Sequence, residues 1–140
     1  MSQRSAFRAL ARQALSADPR MGELTQLSAW AGGIPAEILP VIGVVTPQER
    51  AAMDSMGVME RSTLLQVVVK RLGGDDLEDI LDLDGDAIEK CIVAAFFNAD
   101  FRCLPENMTV TLNGEGEQRV GTILVDFRVT WFRDLDGTLA

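Results

Sequence analysis

The densest concentration of potentially reactive side chains is the carboxylate run at residues 75–86, Asp-Asp-Leu-Glu-Asp-Ile-Leu-Asp-Leu-Asp-Gly-Asp. Calcium requires six to eight oxygens, and an EF-hand supplies them at fixed steps around a glycine in sixth place. With Gly85 in that place, Ile80 falls first and Cys91 twelfth; with Asp82 first, Ala87 stands where the glycine belongs. Neither register closes a calcium loop. A metal-dependent enzyme site built on Asp82, Asp84 and Asp86 is the other reading that these acids allow. A helix over residues 76–98 suits the pattern better. Leu77, Ile80, Leu81, Ala87, Ile88, Cys91, Ile92, Ala95 and Phe96 recur at three and four residues, which leaves most acids on the opposite side. Asp75, Asp76, Glu78 and Asp79 fall at its start, where the helix dipole favours negative charge. Gly85 inside such a helix costs about 1 kcal/mol relative to alanine. Close approach of another element is the expected reason for it.

Other reactive groups give less. Cys91 sits on the apolar stripe of that helix, and the chain has no histidine to activate it. The sequence Asn113-Gly114-Glu115-Gly116-Glu117 has the glycines of a phosphate loop but lacks its lysine and the Ser/Thr that follows. It lies between two strand-like segments and reads as a hairpin tip. From the residues we expect no catalytic site, no metal and no cofactor.

Composition narrows the class further. One domain over residues 1–140 is expected from a chain of 140 residues, with 47% hydrophobic residues and a net charge of −8. That charge opposes a general phosphate-binding surface, because nucleic-acid affinity rests on lysine and arginine neutralising phosphates. No apolar run approaches the roughly 18 residues that span a bilayer. The N-terminal stretch is basic and polar throughout, without the apolar region of a signal peptide. These features predict a protein made in the cytoplasm, with no membrane partner. Cys91 and Cys103 then read as two buried thiols.

The elements that must position everything else follow from periodicity. Residues 5–17 form a helical stripe of Phe7, Leu10, Ala11, Ala14 and Leu15, ended by Asp18-Pro19. Residues 23–31 are a weak strand, and Gly32-Gly33 with Pro35 a turn. Residues 38–46 read as a buried strand, with Pro40 marking an edge or a bulge. Residues 47–61 lose alternation and carry Met53, Met56 and Met59, which reads as a surface loop with a helical turn. Its methionines also suit an adaptable contact surface. Residues 62–72 are a strand, residues 104–107 a turn, and residues 108–112 a strand. In the last strand Ile123, Val125, Phe127, Val129 and Trp131 point one way, and Leu124, Asp126, Arg128, Thr130 and Phe132 the other. Trp131 is placed in the core; Trp30 fits either core or interface. The sum is a single α+β domain with a mixed or antiparallel β-sheet packed with two principal helices, in the order α-β-β-loop-β-α-β-β.

Several of these segments carry a resemblance. They are Ala17-Asp18-Pro19-Arg20, Ile38-Leu39-Pro40-Val41-Ile42-Gly43-Val44, the strand at 64–69, the acidic helix entry at 75–82 with Ile88-Glu89, and Val120-Gly121 running into Val125-Asp126-Phe127-Arg128-Val129-Thr130-Trp131. In this order they resemble the tail terminator (tail completion) proteins of long-tailed phages and of related gene transfer agents. The resemblance implies a structural virion protein in the neck region of the tail. It implies a hexameric ring of identical subunits on the head-proximal end of the tail tube, which stops tube polymerisation and docks the head connector or stopper protein. DNA would pass through its channel without specific binding. Contacts to neighbouring subunits or the tube protein are expected at Arg50, Met53, Met56, Met59 and Arg61, and at the tip Asn113, Gly114, Glu115, Gly116, Glu117 and Gln118. Arg50 and Arg61 are expected to meet acids of an adjacent subunit, and residues 134–140 to reach a neighbour or stay disordered. Another head–tail joining protein, or a small bacterial ligand-binding module of the same fold class, fits the same residues.

Overall fold

A computed structural model describes residues 2–28, 34–114, 119–137 and 139. Helix α1 spans Gln3–Ala17, and strand β1 spans Thr25–Leu27. The long strands β2 (Val41–Ser55) and β3 (Val58–Gly73) follow, then helix α2 (Leu77–Asn98) and strands β4 (Arg102–Asn113) and β5 (Arg119–Asp134). Short 3-10 turns occupy Met21–Glu23 and Ala36–Ile38. This is the α+β domain that the periodicities predict, with five strands in the order β1-β2-β3-β5-β4. The β1–β2 pair is parallel and the other three pairs are antiparallel.

The alternation of β5 decides which face of the sheet is covered. Ile123, Val125, Phe127, Val129 and Trp131 are all buried. The register partners of the first four on β3 (Val69, Val67, Leu65 and Thr63) continue the same buried face. Both helices pack on this side: α2 meets β3, β4 and β5, while α1 meets α2, β2 and β3. The aromatic ring of Phe7 on α1 is clamped between Phe96, Phe101 and Trp131, with centroids 5.6, 4.9 and 6.0 Å away. Such tilted and edge-on pairs contribute beyond their buried area.

Helix ends follow local chemistry. Ser2 Oγ accepts from the Ser5 N–H at 3.1 Å and caps α1. Asp18 leaves the helical region, as its position before Pro19 requires, and its carboxylate accepts from the N–H groups of Arg20 and Met21. Asp100 ends α2 with φ 64, the left-handed position usually given to glycine. The Phe101 N–H then reaches the Phe96 carbonyl at 2.9 Å, and the Asp100 N–H reaches the Phe97 carbonyl at 3.1 Å. This reverse turn delivers Phe101 to Phe7.

Four segments depart from expectation. Residues 47–61 are not a loop: β2 and β3 run through them as one hairpin, with Met53 opposite Met59 and the turn at Met56-Gly57. Gly57 takes φ 87 there, a conformation that costs glycine nothing. The turn expected at 104–107 is absorbed into β4 as an irregularity between Pro105 and Asn107. The strand expected from residue 38 begins at Val41. Pro40 lies just before it, and the irregularity falls instead between Val45 and Gln48, where Pro47 sits. β1 is also shorter than expected. Trp30 and the Gly32-Gly33 turn lie outside the described residues.

Candidate functional site

Within the acidic run, one carboxylate behaves unlike the rest. Asp84 is fully buried, whereas Glu78, Asp79, Asp82 and Asp86 are exposed. It lies on the buried side of α2 beside Gly85, in line with Leu77, Leu81, Ile88 and Ile92. Arg71, near the end of β3, grips it with a fork: Nε donates to Oδ2 at 2.6 Å and Nη2 to Oδ1 at 3.0 Å. Arg20, just past α1, donates Nε to Oδ1 at 2.7 Å and Nη2 to the Ile80 carbonyl at 3.0 Å. Three charge-assisted hydrogen bonds from two arginines to one carboxylate offset its desolvation and tie α2 to β3 and to the turn after α1. Asp82, Asp84 and Asp86 therefore do not converge. Among the described residues no cluster of His, Cys, Asp and Glu could hold a metal ion.

Gly85 shows the close approach expected of it. A Cβ there would lie 2.9 Å from Ile123 Cδ1 and 2.9 Å from the Met108 thioether. The sheet presses on α2 at this turn.

A second polar chain crosses the sheet at the end of the helical layer. Trp131 Nε1 donates to Thr63 Oγ1 at 3.0 Å, and Thr63 Oγ1 donates to Glu49 Oε1 at 2.8 Å. Arg61 Nη1 closes the chain on Glu49 Oε2 at 3.2 Å. The ladder places Arg61 over an acid of its own subunit, where the sequence reading had it meeting a neighbour's. Trp131 is a core residue, as its position on the strand predicts.

Beyond this chain the sheet continues without helices. Ala51 faces Arg61, and Met53, Met59 and Arg133 form the next row on the same side. Met53 is 64% exposed and Met56 100%. The turn after β5 folds back here: the Leu135 N–H donates to the Gly57 carbonyl at 2.8 Å, and Leu139 bridges to Arg133. The described part of the C-terminal segment thus lies on its own chain. Arg50 points to the opposite face, where its charge joins that of Arg128 beside Glu106. The forked Arg128–Glu106 pair, at 2.8 and 3.2 Å, holds the Glu106 carboxyl below its ordinary range. Asn113 ends β4 and Gly114 follows it with φ 92; Glu115, Gly116, Glu117 and Gln118 lie outside the described residues.

Both cysteines are free, Cys103 buried and Cys91 half-buried. Burial pushes the Cys103 thiol up to about 12, and raises Cys91 as well, aided by the negative charge of Asp18. Since the thiolate is the nucleophile, Cys103 is expected to resist iodoacetamide at pH 8 in the folded protein and to react fully in denaturant. Mass spectrometry of a time course checks this; equal rates in both states would contradict the buried placement.

No protein-family model matches this chain, and no curated protein matches it either. No helix among the described residues is long and apolar enough to cross a membrane.

Proposed function

We propose that this chain is the subunit of a ring, built from six copies, that closes the head-proximal end of a phage-type tail tube. The ring halts tube polymerisation and offers the surface on which the head connector docks. Its role is structural, with no catalytic step, and its place is the neck of the particle after assembly in the host cytoplasm. The observation that carries this reading is the sheet that outruns its helical layer. Its end presents bare methionines, which pack against irregular partners without a fixed shape. The ordered resemblance of segments from Ala17 to Trp131 supports it. So does the net charge of −8, which lets DNA pass a channel without being gripped.

Tail length decides. Particles assembled without this chain are expected to carry overlong, headless tails in negative-stain micrographs. Tails of normal length that fail to join heads would assign it to head–tail joining. Normal, infectious particles would remove the virion reading altogether.

A further inference from the structure

Two exposed faces of the subunit carry apolar side chains within opposite charge. The first is the outward side of α2, diametrically opposite its buried stripe. Leu83 and Phe97, 55% and 77% exposed, stand there among Asp79, Asp82 and Asp86, with Lys90 between them. The second is the bare end of the sheet described above. On its helix-facing side Met53 and Met59 lie beside Arg133, and the exposed Arg4 at the start of α1 lines a hollow with Arg133, Trp131 and Glu49. Glu49, the acid that lines this hollow, is already engaged by Arg61 and Thr63. Strand alternation turns Glu60 and Asp134 to the other side of the sheet.

From this complementarity we infer that the occupant of each face is the other face of a second copy: the outward side of α2 docks on the bare sheet end of the next subunit. The inference rests on the ring reading and specifies its contact. The two patches are different surfaces of one chain, so the contact is heterologous and propagates by rotation, as ring closure requires. A helix laid across bare methionines supplies apolar burial. The acids of α2 meeting Arg4 and Arg133 fix orientation and disfavour the self-pairing of either patch.

Charge reversal on each face tests the pairing. One variant carries Asp82→Arg and Asp86→Arg, the other Arg4→Glu and Arg133→Glu. Each alone is expected to weaken self-association at least tenfold in sedimentation velocity. An equimolar mixture is expected to recover it in strictly alternating assemblies, because each reversed face meets a complementary one. Circular dichroism of each variant establishes that it is folded. Phe97→Asp and Met53→Asp, on opposite faces, are expected to dissociate the assembly separately. A wild-type chain that remains monomeric at millimolar concentration overturns the contact, as do variants that assemble like wild type or a mixture that fails to recover. Any of these would leave the terminator reading to be judged by tail length.

Discussion

Asp84→Ala is expected to destabilise the domain by about 3–5 kcal/mol, since breaking one side of a buried ion pair strands its partner. A domain of this size has about 5–15 kcal/mol in total, so the loss is a large fraction. The geometry explains why so much rests on one carboxylate. Its side chain is 0% exposed, and the side chains of Arg71 and Arg20 are 19% and 34% exposed. Without the acid, Arg20 can turn towards solvent, but Arg71 keeps a half-buried charge whose fork has nothing to grip. The ionic link from the turn after α1 to α2 and β3 is lost with it. Urea titration followed by circular dichroism measures the effect. Replacing all three partners, with Asp84→Leu, Arg20→Met and Arg71→Met, is expected to recover most of it, because well-packed apolar groups often equal a buried ion pair. An Asp84→Ala cost below about 1 kcal/mol would show that the carboxylate is not what joins these elements.

The second large effect is expected at Phe7. Phe7→Ala removes the ring packed against Phe96, Phe101 and Trp131, and phenylalanine truncations in cores cost about 3–5 kcal/mol. The damage should be local as well as global. α1 buries only Phe7, Ala11 and Leu15, so without Phe7 its first turns are held chiefly by the Ser2 cap and by Arg8, which donates to Thr46. Amide hydrogen exchange is expected to show α1 losing protection ahead of β3 and β5. Uniform loss across the fold would mean that α1 is held by more than this ring.

What could be read from the chain depended on whether burial had written a pattern into it. β5 is covered on one face along its length, so its apolar residues alternate and the strand was plain. α2 was equally plain from its three-and-four spacing. Residues 47–61 failed for the converse reason. The outer halves of β2 and β3 run past both helices, and with no layer over Ala51, Met53 and Met59 no alternation is imposed. The segment is rich in Ala, Met, Gln, Glu and Arg, which favour helices when read in isolation. Backbone pairing across the hairpin overrode that preference. Asp84 was hidden among its neighbours, and its partners Arg20 and Arg71 are remote in sequence. One signal was present. Asp84 and Gly85 fall where the apolar stripe of α2 should have placed large side chains, between Leu81 and Ile88. A charged residue on a buried stripe calls for a partner.

The position of β5 in the sheet also sets the order in which this protein can be completed. β3 meets β2 at once through a tight turn, but its other neighbour is the last of the five described strands, and pairs with it along all 16 of its residues. Until β5 is synthesised, β3 holds an open edge, β4 has no neighbour, and the apolar side of α2 has only part of its floor. Nascent chains should therefore be most prone to sticking late in translation, when four strands exist and β5, which joins β3 to β4, does not. Their folding should be slow for the domain's size, because its main pairing closes across the whole of α2 and β4.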